Sequence, residues 1–399
     1  MLPRLDSDIG IFAYSTKFKG VGGKIKSSPE DFFVSEMLDE KTSSKLSNTD
    51  GYAVYKLKKR GIDTNHALSE IFKIHGLRLK ALGLKDANAT TEQFVCSMNT
   101  SKNIGNFSTN RYSLEFLGYV SKPLTKKDMI GNHFKIKIED ASFVEISKFK
   151  EYEKVLNFFG YQRFGSKRPV SHLIGKAIIQ NDFERAVSLL LSFSSEYDLP
   201  ENTKIRKMLE DKSNYAEALN EVPPQMDIER IVLSEMVEHD DPLRAMRNIP
   251  LNIRRFFVQA FQSYIFNHTI SAAFEHGEEL FLPKSGDVCY DKKSILGRFE
   301  NDPSQRLAIP LVGYSYSKKN RFDYHISEIL ETEQVHAKDF FSKTMQEISD
   351  EGGFRQTAIK CDNFSISEHI VSFTLSRGSY ATILLREIMK PQDPIKAGF

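Results

Sequence analysis

The chain has 399 residues, 40% of them hydrophobic and 27% charged, the make-up of an ordinary globular protein with length enough for two domains. No apolar run approaches the roughly 20 residues that a membrane-spanning helix needs, and the opening MLPRLDSDIG lacks the charged and apolar regions of a secretion signal. The net charge of +2 is uneven, with 17 Lys+Arg against 9 Asp+Glu over residues 51–150 and 7 against 11 over 201–250; the basic stretch fits a phosphate-binding face or an ordinary solvated surface equally well.

In chain order, Ser27-Ser28-Pro29-Glu30-Asp31 is a turn signal leading into an apolar strand at Phe32, Phe33 and Val34. Tyr52, Val54 and Tyr55 suggest a second strand. Asp63 or Thr64 can cap a helix with Ala67, Leu68, Ile71 and Ile74 on its inner face, ended by Gly76. Strand-like runs at residues 77–82 and 94–96 flank the loop Gly83–Gln93, and further strands fit Tyr112–Tyr119 and Phe134–Ile138. From about residue 170 the spacing turns helical: Leu173, Ile174, Ala177 and Ile178, then a helix begun by Asp182 with Ala186, Leu189 and Leu190 inward. A long helix is predicted over Arg254–Phe274, with Phe257, Phe261, Tyr264 and Ile265 as its core stripe. Strands or loops follow at Gly286–Tyr290 and Leu307–Tyr316, then a helix over Glu328–Ile348. The chain returns to β character at Ser367–Leu375 and Ala381–Glu387. The predicted class is α+β, a mostly antiparallel mixed sheet interrupted by a largely helical insertion.

Several chemistries lack their signatures. There is no GxxxxGK[ST] or GxGxxG loop, no HxH or HExxH pair and no GxSxG elbow. Three well-separated cysteines without a CxxC pair argue against a disulfide framework or a cysteine zinc site, and make a reducing cytoplasm the expected compartment. What is left is cofactor-free and metal-free work by a carboxylate. Asp86, in a loop of small residues between two strands, is sterically open for it, although Asp and Asn in such a loop are also ordinary turn formers.

Four motifs give that loop a context. They are Lys26–Glu36 (KSSPEDFFVSE), Gly83–Gln93 (GLKDANATTEQ), Asn157–Gly165 (NFFGYQRFG) and Gly378–Glu387 (GSYATILLRE). Together and in order they resemble the TruD family of tRNA pseudouridine synthases, and Gln259–Asn267 resembles part of that family's insertion domain. The opening Asp8-Ile9-Gly10 looks closer to archaeal members. Phe158 stands where Tyr is common, and Ser376-Arg377 where Leu-Pro often precedes Gly378.

The resemblance implies a pseudouridine synthase catalytic domain over 1–165 and 352–399, with a TRUD insertion over 166–351. It implies that Asp86 is the catalytic aspartate, Lys26 its basic partner, Phe159 the ring that stacks on the target base, and Asn157 a polar support. It implies tRNA as substrate, uridine 13 as target, and no cofactor. Neighbouring side chains of extended backbone point opposite ways, so distant Lys26 is a better ion partner for Asp86 than adjacent Lys85. Arg163, Lys167 and Arg168 are candidates for phosphate contacts or for a solvated face. The chain is expected to act as a monomer without a protein partner. An RNA-binding or tRNA-chaperone protein with secondary or lost catalysis, or a different tRNA-modifying or RNA-cleaving enzyme, competes with this reading.

Overall fold

The computed structural model describes residues 2–47, 50–100 and 104–399. Its strands are β1 (Phe32–Leu38), β2 (Tyr52–Arg60), β3 (Leu79–Ala81), β4 (Thr90–Ser97), β5 (Phe107–Ser108), β6 (Tyr112–Val120), β7 (Met129–Lys137) and β8 (Lys154–Leu156). After a run of helices come β9 (Val288–Tyr290), β10 (Leu296–Arg298), β11 (Arg306–Leu311), β12 (Gly353–Gln356), β13 (Ala358–Lys360), β14 (Asp362–Ser367) and β15 (Ile370–Ser376). The large sheet runs β14-β15-β7-β1-β4-β2-β6-β5, with β3 added to β4. All its pairings are antiparallel except β1 with β4, which run parallel with Phe33 opposite Thr90 and Ser35 opposite Glu92. The class is α+β, as the sequence suggests.

Its two faces are covered differently. The helix Thr64–His75 packs Ala67 and Ile71 onto Tyr55, Leu57 and Leu114. Asp63 caps it by accepting from the His66 N–H, and Gly76 ends it at φ 66°, a left-handed turn that costs glycine little. Ile74, expected on the inner face, is instead 63% exposed, because it lies in the last turn as the helix leaves the sheet. On the other face Phe32, Val34, Phe134 and Phe373 join a continuous core that reaches into the helices after residue 170.

Those helices include Ser171–Ile179, Phe183–Ser192 capped by Asp182, and Leu251–Glu275. The first and last approach so closely that a β-carbon on Gly175 would sit 2.0 Å from the Phe257 carbonyl oxygen. A second sheet, β10-β9-β11-β12, follows them. Its strand β12 begins two residues beyond the 166–351 segment and pairs with β11 inside it.

Two stretches differ from the sequence expectation. Ala381–Glu387 is helix, not strand: the helix Ala381–Met389 is buried along its whole length, and an apolar run buried on every side has no periodicity to separate the two. Within it Arg386 pairs with Asp6 at 2.7 Å, both side chains fully buried, and Glu387 accepts from Ser15 and Thr16. The helix expected over Glu328–Ile348 is shorter and shifted, running Asp323–Thr332. Gln334 takes a left-handed conformation (φ 54°) and the N–H of Val335 turns back to the Leu330 carbonyl, so only short 3-10 turns follow at Ala337–Phe340 and Gln346–Ile348.

The close crossing at Gly175 should make Gly175→Ala cost about 1–3 kcal/mol, the usual range for overpacking. Urea unfolding of the two proteins, with unchanged m-values, checks it.

Candidate active site

The parallel pairing decides which residues meet. The segments entering β1 and β4 emerge at one edge of the sheet, and β2, antiparallel to β4, ends there with Arg60 opposite Thr90. Residue 26 precedes β1, residue 86 precedes β4 and residue 59 is the last but one of β2, so three distant stretches converge.

The loop before β4 is pinned from both sides. Gln93 donates to the Gly83 carbonyl (3.0 Å), Thr64 donates to Gln93 Oε1 (3.0 Å), and the Lys85 N–H donates to Thr64 Oγ1 (3.0 Å). Lys59, 1% exposed, donates through Nζ to the carbonyls of Asp86 (2.8 Å) and Ile62 (2.9 Å). Burial pulls its ammonium down to about 8, against the opposing pull of Asp86 and Asp63. Lys85 points elsewhere: its Nζ lies 3.0 Å from the buried Glu36 carboxylate and donates to Asn132 (2.8 Å). Burial raises the Glu36 carboxyl even so, with Lys85 and the Phe94 N–H pulling it back.

Asp86 is left half-exposed and lightly held. Lys26 Nζ stands 3.6 Å from Oδ2, Gln162 Nε2 donates to the same oxygen at 3.3 Å, and the Asn88 N–H donates to Oδ1 at 3.3 Å. Lys26 is largely buried and also lies 4.9 Å from the Phe32 ring centre. Burial lowers its ammonium from the ordinary lysine value while Asp86 raises it. Its backbone is left-handed at φ 60°, unusual for a non-glycine residue and worth about 1–3 kcal/mol of strain. The conformation is held by the paired backbone bonds of Lys24 with Glu139 and by the Ile25 N–H to the Ala397 carbonyl.

The third motif supplies a second group. Phe158 is fully buried in the core, and Phe159 is 7% exposed. Asn267 fixes the Phe159 backbone, accepting from its N–H (2.7 Å) and donating to its carbonyl (3.1 Å). Phe266 and Tyr380 meet the Phe159 ring edge-on. Arg355, from β12, lies 4.0 Å from its centre and donates to Asn157 Oδ1 (2.8 Å) and to the Asn157 carbonyl (3.2 Å). Asn157 in turn donates to the Gln356 carbonyl.

Two cavities adjoin this group. One of about 300 Å³ has Phe159, Arg163 and Arg355 in its wall. A cleft of about 920 Å³ includes Asn157 and Arg355 and is strongly basic, with Lys127, Lys292, Lys293, Arg306 and Arg377 against Asp39. Asp86 lies in neither wall; Gln162, three residues after Phe159, is the contact that joins it to the third motif.

Of the residues singled out in the sequence, Lys26 and Asp86 meet, Asn157 and Phe159 share Arg355, and Arg163 lines the smaller cavity. Lys167 is exposed. Arg168 is not brought to the site: its guanidinium is spent on Glu229 and on the carbonyls of Phe193, Leu189 and Leu190 at the end of a helix, where a cation is favoured. Lys59, Gln162 and Arg355 were not singled out. Gln162 lies inside a quoted motif; Lys59 and Arg355 carry no local signal, because only the fold gives them neighbours.

The sequence profile of the family described as tRNA pseudouridine synthase D (TruD) matches residues 8–388. The probable tRNA pseudouridine synthase D of Methanococcoides burtonii is 31% identical to this chain, covering 99% of each, and that of Pyrobaculum islandicum is 30% identical over 100% of this chain and 99% of its own. The crystal structure of the putative tRNA pseudouridine synthase D from Methanosarcina mazei superposes with a TM-score of 0.80 at 26% identity, over 99% of both chains. With motif order, profile and full-length relatives in agreement, the chain belongs to the tRNA pseudouridine synthase D family.

Proposed function

We propose that Asp86 is the carboxylate with which this tRNA pseudouridine synthase, an isomerase, converts uridine to pseudouridine, and that uridine 13 of tRNA is its target. The observation that carries the reading is the Lys26–Asp86 pair at 3.6 Å, set where three strand ends meet. The reaction breaks the N1–C1′ bond, turns the uracil and joins C5 to C1′; the proton leaving C5 is balanced by one gained at N1. A carboxylate can serve it by attacking the sugar or the base, or by taking a sugar proton, and each route starts from the ionised form. Lys26 sets its ammonium 3.6 Å from the carboxylate, and Gln162 donates to the same oxygen.

The target base must leave its stack in folded tRNA, at a cost of a few kcal/mol. Phe159 suits the return of about 1–3 kcal/mol per stacked base, since a neutral ring tolerates the base turning over. The basic cleft beside Asn157 supplies phosphate contacts. In this reading residues 1–165 and 352–399 form the catalytic domain, 166–351 the insertion, and the protein acts as a monomer in the cytoplasm. No helix among the described residues is long and apolar enough to cross a membrane.

Asp86→Asn is expected to abolish conversion in transcribed tRNA while leaving tRNA affinity nearly unchanged; pseudouridine mapping together with a binding titration tests reaction and position at once, and substantial residual turnover would refute the assignment. Phe159→Leu, which keeps apolar volume but loses the ring, should lower turnover at least tenfold with a smaller change in binding; a melted protein would mark the ring as core alone. Lys26 is expected to lose its charge at a pH below the usual lysine value, so activity should fall as pH rises through that lowered value. Lys26→Arg, always charged, should retain activity further into alkali, and a pH–rate profile of both proteins decides.

A further inference from the structure

Two guanidinium groups share the Phe159 ring. Arg355 lies 4.0 Å from its centre and Arg163 5.5 Å, and Arg163 also sits 5.3 Å from the Phe256 ring. Both are half-buried. Among the described residues the hydrogen bonds of the Arg355 guanidinium go to Asn157, a neutral partner, and the buried Nε of Arg163 has none. The cavity they line adds the neutral donors Gln259, Gln262 and Ser263 and one carboxylate, Asp350. Its Oδ1 already accepts from Gln262 and from the Gly352 N–H. Burial, with the like charge of Arg163 adding to it, brings the Arg355 guanidinium down to about 10.

A ring can be packed by carbon alone, and two cations set together in a poorly solvated place without a carboxylate partner destabilise the free protein. Such a pair is worth keeping where an anion comes to it. We propose that Arg163 and Arg355 form an anion-binding subsite beside Phe159, which takes a backbone phosphodiester of the RNA substrate next to the turned-out nucleotide. The guanidinium fork matches phosphate oxygens geometrically, and one phosphate would relieve the repulsion between the two groups. Arg355 also walls the larger basic cleft, so a strand lying there can reach it. The inference rests on the reading of Phe159 as the substrate platform, and it is tested by binding, so that it and the catalytic reading can fail separately.

The test measures tRNA affinity against KCl concentration for the full-length protein carrying Asp86→Asn, alone and with Arg163→Gln or Arg355→Gln. Each arginine substitution should weaken binding several-fold and make the slope of log K against log salt shallower, the two together by about 0.7–0.9, the share of one phosphate contact. Arg163→Lys should keep most of the slope. Inorganic phosphate at fixed ionic strength should displace tRNA better than chloride, and lose that advantage in Arg163→Gln. Unchanged slopes in both glutamine variants would overturn the proposal, leaving the two arginines as packing for the ring. Competition by phosphate with an unchanged tRNA slope would also overturn it, by showing a site for the free anion. If Arg355→Gln does not fold, Arg163→Gln decides alone, since its Nε gives up no bond. Turnover surviving Asp86→Asn would refute the catalytic reading without moving any slope.

Discussion

Because β1 and β4 run parallel in an otherwise antiparallel sheet, the segments that enter them leave the sheet side by side. Antiparallel neighbours would have sent residue 26 and residue 86 to opposite edges. A parallel pair needs a crossover connection, and here β2, the helix Thr64–His75 and β3 supply it. That connection returns something to the site: its strand β2 carries, one residue before its end, Lys59, which holds the Asp86 carbonyl, and its helix begins with Thr64, which holds Lys85 and Gln93. The sheet thus fixes the loop through backbone and buried polar groups, leaving the Asp86 carboxylate itself lightly bonded.

The charges around the loop sort by the same geometry. Three lysines come near, and each has a different task. Lys85 is turned onto the buried Glu36, where burial and the ammonium pull the carboxyl in opposite directions. Lys59 is buried against two carbonyls and contributes charge from behind the loop. Only Lys26 approaches the carboxylate oxygen, and it does so from a strained backbone clamped at residues 24 and 25. Strain of that kind persists where surrounding structure over-determines it. Here the clamp includes the C-terminal Ala397, and the buried pair Arg386–Asp6 ties the chain's two ends together close by in sequence. The far ends of the chain therefore bear on the position of one lysine.

How much of this was legible in the sequence follows from the range of each signal. Caps and turns act over a few residues, so Asp63, Gly76 and Asp182 declare their helices. The choice of Lys26 over Lys85 followed from alternation along extended backbone, a local rule, together with family resemblance. The β character expected of Ala381–Glu387 gives way to helix because periodicity marks an amphipathic element, and a helix buried on all sides is not one. Arg168 was misplaced because a basic residue after a motif reads the same whether it meets phosphate or a helix terminus. Lys59 and Arg355 are silent for a further reason: a buried cation is recognised by its neighbours, and the fold supplies those neighbours, Asp86 for one and Asn157 for the other, from tens to hundreds of residues away.

Arg355 shows what the small sheet contributes beyond bulk. It is carried by β12, whose hydrogen bonds run to β11, while its guanidinium lies on Phe159 and bonds Asn157. The basic cleft draws Lys292, Lys293 and Arg306 from one part of the chain and Lys127 and Arg377 from the other, and Arg355 belongs both to its wall and to the Phe159 ring. The two groups are held differently: the Asp86 loop by Lys59 of the large sheet and Thr64 of the helix that follows it, Phe159 by Arg355 of the small sheet and Asn267 of the helix Leu251–Glu275.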